Sequence, residues 1–193
     1  MPAQMARTML GSALVAITLT LLCHLLVLTL SQGEPIAGPV ALLSQGRWGD
    51  LHSLGLCSFA LAHLLLALAM TGRDHGHLWP WAQGTLILCA LAIAGTAWQL
   101  ASAPPQEITS QANLLWLVAS LAGTATGLMA PGLARLGRVI AQINFVVLVL
   151  WVLLIPAWWW MGPALTGAYE RMVGGLYLGW LSAVTVAEFR RST

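Results

Sequence analysis

An all-α fold with six transmembrane helices is predicted here, and the scarcity of charge is the first reason. Charged residues make up 7% of the 193-residue chain, as eight arginines, six acidic residues and no lysine, whereas about a quarter of a soluble domain is charged. With 59% hydrophobic residues and a mean hydropathy of +0.82, the chain cannot coat a water-facing globule. Its net charge of +2, spread over isolated arginines, also excludes a nucleic-acid binder.

The second reason is the length of the apolar stretches. A helix needs roughly 20 apolar residues to cross the hydrocarbon core, since each residue rises about 1.5 Å. Six stretches meet this length, at 10–30, 51–70, 80–100, 113–130, 139–161 and 172–189. They are continuous runs rich in Leu, Ala and Val, without the alternation typical of membrane strands. The whole chain, 1–193, is therefore predicted to be a single transmembrane domain.

The position of the charges is the third reason, because all but Glu188 lie between the six stretches.

The first stretch is longer than the core of a cleaved signal, about 7–15 residues, so it is predicted to remain as a helix. The second follows a connection at 31–50 that is rich in Gly and Pro but partly apolar, which favours an ordered loop or a short interfacial piece. Pro156 is expected to kink the fifth. In the fourth and sixth, glycines four residues apart (Gly123 and Gly127, Gly175 and Gly179) predict close helix packing.

Tryptophans mark the ends of the stretches, as expected for side chains that prefer the membrane–water boundary. Trp79 and Trp81 lie at the start of the third stretch, at one boundary. At the other boundary lie Trp48, Trp98, Trp116, Trp158, Trp159 and Trp160. We interpret the run 158–160 as an interfacial anchor, with a ligand-stacking surface as the alternative.

The distribution of arginines predicts the orientation of the bundle. Six helices place both termini on one side, and that side carries Arg7, Arg73, Arg135, Arg138, Arg190 and Arg191. The other side has only Arg47 and Arg171. Because positive charge is enriched in cytoplasmic connections, both termini are predicted to be cytoplasmic.

Two histidines inside the stretches are candidate binding residues, since ionisable groups within a span often mark function. Counting from the span midpoints places His24 about 6 Å outward and His63 about 4 Å inward. A haem iron held by both would need them at nearly one depth. An offset of about 10 Å argues against that, so each is interpreted as a hydrogen-bonded interior residue, with a ligand role as the alternative.

A second candidate set lies in the cytoplasmic half of the last two helices. Gln142, Asn144 and Glu188 each lie about 9–12 Å from their span midpoints, towards the cytoplasmic side. This common depth predicts one polar layer. Arg191 shares the helical face of Glu188. This layer is interpreted as an interhelical clamp with an ion pair, and a proton or substrate site is the alternative. The polar tip at 73–77 is predicted to be a solvated turn with His75 and His77 in water, since it offers too few ligands for a closed metal site.

Two segments carry a resemblance to a known family. The stretch 44–55 (SQGRWGDLHSLG) and the segment 167–171 (GAYER), followed by Gly175 and Trp180, resemble a bacterial six-helix membrane family catalogued as domain of unknown function nine-nine-eight. The resemblance implies six helices in the bacterial inner membrane and no established activity. Both segments fall on the outer side, so Arg47, Asp50, Glu170 and Arg171 are predicted to form an outer polar cap. Such a cap is either a structural clamp or a site for an anionic headgroup or solute.

No recognised nucleophile, metal or phosphate-binding motif is present in the sequence. The chain is therefore predicted to be non-enzymatic and to need no cofactor. The first functional hypothesis is binding or movement of a hydrophobic or amphiphilic molecule, such as a membrane lipid. The alternative is an accessory subunit that packs against other membrane subunits or against copies of itself. A haem- or quinone-binding redox subunit is the third, disfavoured by the depths of the histidines.

Overall fold

The computed structural model describes residues 2–31, 47–73, 75–102, 111–160 and 165–192. Within these residues the chain forms six α-helices: α1 (Ala3–Leu30), α2 (Gly49–Ala69), α3 (Trp79–Ser102), α4 (Gln111–Leu136), α5 (Arg138–Ala157) and α6 (Thr166–Arg191). A 3-10 turn (Trp158–Trp160) follows α5. Each of the six helices is long and apolar enough to cross a membrane. The prediction of an all-α chain with six such helices is confirmed.

The helices pack in chain order, and α1 also packs against α6, which closes the bundle. Both chain termini lie at one end, where the Arg7 guanidinium sits 5.3 Å from the centroid of the Phe189 ring. We call this the terminal end and the opposite one the distal end. The distal end thus holds the last turn of α1 and the first turns of α2 and α6.

Large apolar side chains cover the outside of the bundle. Val15, Leu91 and Val152 are each more than 60% exposed, whereas small residues fill much of the inside. An added Cβ at Gly55 of α2 would lie 3.1 Å from Cys23 Cβ of α1, and the Thr20 hydroxyl donates to the Gly55 carbonyl oxygen. An apolar exterior around a closely packed interior suits a multi-pass membrane protein.

Several helices are longer than predicted, and α1 begins at Ala3 rather than Leu10. α4 runs through Pro131 to Leu136 instead of ending at Ala130. At Gly132 an added Cβ would come within 2.5 Å of the Trp79 ring and 3.0 Å of His75 Cβ, so the missing side chain lets the start of α3 pack against this last turn. α6 begins at Thr166 rather than Met172, because the segment that contains Glu170 and Arg171 is helical as well.

The glycine pairs behave differently from each other. Gly123 and Gly127 pack against side chains of α5, with Ile155 Cδ1 and Leu148 Cδ1 3.5 and 3.8 Å from the added Cβ positions. Gly175 and Gly179 of α6 have nothing within 4 Å of such a Cβ among the described atoms. The prediction of close packing is therefore right for α4 and wrong for α6.

Pro156 is the penultimate residue of α5, and the chain continues into the 3-10 turn. The expected kink is instead the end of the helix. The connection predicted as an ordered loop or interfacial piece lies outside the described residues from 32 to 46.

Candidate functional site

A cavity of about 220 Å³ opens in the distal half of the bundle, and all six helices contribute to its wall. Its body is apolar and aromatic, with Phe59, Ile93 and Ile155 among the lining residues. Gly174 and Gly175 of α6 line the cavity and are themselves exposed, so the cavity is open along this face of α6. We call it the distal cavity.

The mouth of the distal cavity is polar. His24 of α1 and His52 of α2 lie side by side, with ring centroids 6.5 Å apart. Glu170 and Arg171, near the start of α6, line the same cavity, and Arg171 interacts electrostatically with both imidazoles. A polar mouth above an apolar body is the arrangement expected of a site for an amphiphilic molecule.

Aromatic rings form one side of the mouth. Trp116 of α4 meets Trp158 edge to face at 6.2 Å between centroids, and Trp158 lies 5.4 Å from Tyr169 of α6. The Tyr169 hydroxyl donates to the Leu154 carbonyl oxygen, which ties α6 to α5. Trp160, by contrast, is 89% exposed. The run 158–160 is therefore split between a cavity-lining ring and an outward-facing one.

Two buried polar atoms of cavity-lining residues have no hydrogen-bond partner among the described residues. They are His52 Nε2 and Trp151 Nε1, and both residues line the cavity. Their side chains are only 5% and 2% exposed. A buried polar group without a partner destabilises the fold by about 1–3 kcal/mol, so these two atoms indicate where a ligand or water would bond.

Tyr177, which lines the cavity, belongs to a chain of hydrogen bonds inside the bundle. His63 Nδ1 lies 2.7 Å from the Phe59 carbonyl oxygen, which can only accept, so this nitrogen carries a proton. For the neutral imidazole, His63 Nε2 then accepts from the Tyr177 hydroxyl at 2.9 Å, and the Cys89 thiol, at 3.7 Å, can donate to the same oxygen. Trp180 stacks on Tyr177 at 5.4 Å. The interpretation of His63 as a hydrogen-bonded interior residue is consistent with these contacts.

The geometry also bears on the haem alternative. Both ring nitrogens of His63 are engaged in hydrogen bonds. His24 and His52 face each other from neighbouring helices, but α1 and α2 are in contact at Gly55 and Cys23, close to the pair. A porphyrin could not lie between the two imidazoles without forcing these helices apart.

The residues of the predicted cytoplasmic layer do not meet in one site. Asn144 is buried, accepts from Trp180 Nε1 at 2.8 Å and donates to the Thr126 carbonyl oxygen at 3.2 Å, so it joins α4, α5 and α6. Gln142 is exposed. Glu188 lies two helical turns beyond Trp180 and has different partners. Asn144 thus acts as an interhelical clamp.

Glu188 belongs to a second polar group, the terminal-end cluster of Arg73, His75, Glu188 and Arg191. The carboxylate is fully buried and forms an ion pair with Arg73. Its Oε1 lies 3.1 Å from His75 Nε2. Arg191 Nη1 donates to His75 Nδ1 at 3.1 Å, which places the proton of a neutral ring on Nε2, the atom nearest the carboxylate.

The prediction that His75 lies in water is therefore wrong, since its side chain is 2% exposed. Gly76 has a φ of +106°, a backbone conformation that glycine adopts without strain. The chain turns there, and His75 packs edge to face on Trp79 at 4.2 Å. Arg73 likewise pairs with Glu188. His77 is exposed, as predicted. The tip residue Asp74 lies outside the described residues.

The predicted outer cap is divided by the structure. Glu170 and Arg171 line the distal cavity. Arg47 lies over the Trp48 ring at 5.4 Å, and both Arg47 and Asp50 are exposed; neither lines the cavity.

Sequence reasoning missed His52, Trp151 and Tyr177. A signal for His52 was present, because residues 52, 55, 56, 59 and 63 are spaced at three- and four-residue intervals and so share one helical face. That face carries two histidines and a glycine within an apolar helix. Trp151 and Tyr177 had no comparable signal, since aromatic residues within apolar spans are ordinary core residues.

The chain matches no family model, no curated protein and no solved structure.

Proposed function

We propose that this chain is a multi-pass protein of the bacterial inner membrane that binds an amphiphilic small molecule or lipid in the distal cavity. The observation that carries the proposal is the cavity itself, which combines an apolar body, a polar mouth and an opening beside Gly174 and Gly175. A molecule from the surrounding lipid could enter along this face of α6 without first crossing water. The apolar exterior supports a membrane location, and the bacterial inner membrane rests on the resemblance of the segments 44–55 and 167–171 alone.

The cavity-lining glycine Gly175 offers a direct test. An added Cβ there meets none of the described atoms within 4 Å, and Gly175 lines the cavity, so Gly175→Leu is expected to fill part of the cavity. Gly179→Leu is the matched control, because Gly179 is equally open, lies one turn further along α6 and does not line the cavity. Purification in a mild detergent followed by native mass spectrometry should show a bound small molecule on the wild type and on Gly179→Leu. Gly175→Leu should lose it.

The same preparation separates the other functions. A partner chain in fixed stoichiometry, with no small molecule bound, would replace the proposal with that of an accessory subunit. A Soret band in the absorbance spectrum would replace it with a redox role. Equal ligand occupancy in Gly175→Leu and the wild type would also contradict the proposal, since the ligand would then lie elsewhere.

A further inference from the structure

The electrostatics of the cavity mouth are asymmetric. Arg171 is a positive charge near both His24 and His52, and its neighbour Glu170, which acts on Arg171, lines the same cavity. On the side of Arg171 the two imidazoles therefore meet a positive field. Such a field favours a negatively charged group beside the imidazoles and disfavours a cation there.

The hydrogen-bonding capacity of the mouth points the same way. His52 is 5% exposed, and its Nε2 has no partner among the described residues. A carboxylate or phosphate oxygen can accept from an imidazole N–H, and hydrogen bonds to a charged group are about twice as strong as neutral ones. An oxyanion in the mouth would thus form a hydrogen bond with the buried His52 nitrogen. It would also place its negative charge near the positive charge of Arg171.

The size of the cavity limits the apolar part of the ligand. A volume of about 220 Å³ is below the range of about 300–1,000 Å³ typical of drug-sized ligands. Phe59, Ile93 and Tyr177 are among its lining residues, and a volume of this size suits one slender chain. A two-chain phospholipid could place only one of its chains inside.

Resting on the proposed function, we infer that the ligand is a single-chain anionic amphiphile. Its carboxylate or phosphate lies between His24, His52 and Arg171, and its apolar chain extends towards Tyr177. The inference names the ligand class and the residues that select it.

Four probes of one chain length test the inference: dodecanoate, dodecyl phosphate, dodecanol and dodecyltrimethylammonium. Each is titrated into the purified protein, and the bound fraction is measured by native mass spectrometry against Gly175→Leu as background. The two anions should bind about tenfold more tightly than dodecanol, the equivalent of one charge-assisted hydrogen bond. The cation should bind most weakly.

Two variants test whether the preference for anionic probes depends on the residues of the cavity mouth. Arg171→Gln and His52→Leu should each bring the anions close to dodecanol. Arg47→Gln is the control, because it removes the same charge from the same end at a residue that does not line the cavity; it should leave the preference intact. His52→Gln keeps a hydrogen-bond donor and should therefore retain part of the preference for anions. It tests the same position if His52→Leu does not fold.

The outcomes separate the inference from the proposed function. If all four probes bind the wild type equally and Gly175→Leu abolishes binding, the cavity is a site but the inference of an anionic ligand is overturned. An anion preference that survives in Arg171→Gln and His52→Leu overturns it too. If Gly175→Leu binds every probe as the wild type does, the proposed function falls and the inference with it.

Discussion

Single residues in this bundle show two ways of keeping polar groups inside an apolar structure. At the centre, His63, Tyr177 and Cys89 form a chain of neutral groups in which each donor meets an acceptor. At the terminal end, Glu188 is paired with Arg73. The neutral chain needs no counter-ion, so it can lie beside the apolar cavity that Tyr177 lines. The charged cluster lies where Arg191 is exposed to solvent.

The terminal-end cluster predicts a large effect of losing its carboxylate. Glu188→Ala leaves Arg73 and His75 without the carboxylate that lies beside both, and breaking a buried ion pair usually costs about 3–5 kcal/mol. We expect the free energy of unfolding to fall by about 3 kcal/mol, near the lower limit because the Arg73 side chain is 19% exposed. Steric trapping or denaturant titration in bicelles would measure it.

Gln142→Ala is the control for that measurement. Gln142 is exposed on α5, and surface substitutions usually change stability by less than about 0.5 kcal/mol. Equal stability of the two variants would show that the cluster contributes nothing to holding α6 against the connection between α2 and α3.

At the scale of the helices, hydropathy predicted their number and approximate positions, because every span must satisfy its backbone within itself and bury its surface in lipid. It failed at the start of α6, where Glu170 and Arg171 resemble a polar connection but are helical and line a cavity. It also misplaced His75. The partner of His75 is Glu188, which is distant in sequence, and only the fold brings the two together.

The small residues of α4 predict which helix contact is sensitive to size. Gly123→Leu would drive a side chain into Trp151 and Ile155, whose atoms lie 3.8 and 3.5 Å from the added Cβ. Overpacking of this kind costs about 1–3 kcal/mol, so we expect a loss of about 2 kcal/mol in the same unfolding assay. The ring of Trp151 also lines the cavity, so binding of the amphiphile should weaken as well.

Gly84→Leu makes the matched comparison for α4. Gly84 of α3 is exposed and has nothing within 4 Å of an added Cβ among the described atoms. The same substitution there should leave stability unchanged or slightly raised, since leucine favours a helix more than glycine does. A similar loss in both variants would mean that helix composition, and not the contact between α4 and α5, sets the stability.

For the whole molecule, the site could be predicted from the sequence only in part. Glu170 and Arg171 were singled out by the family resemblance and the topology, and His24 by its depth within a span; all three line the distal cavity. The cavity itself depends on how six helices leave a gap near the glycine face of α6. No local pattern encodes that gap, because it is set by the packing of helices far apart in the chain.

The arginine distribution predicts the orientation of the whole bundle. Both termini lie at the end that carries six of the eight arginines, and positively charged connections are retained in the cytoplasm. A green fluorescent protein fused after Thr193 should fluoresce, and alkaline phosphatase fused there should be inactive. Phosphatase fused after Arg47, which follows α1 at the distal end, should be active and serves as the control. An active phosphatase at the C-terminus would place the distal cavity towards the cytoplasm, and its anionic ligand would then have to come from the inner leaflet.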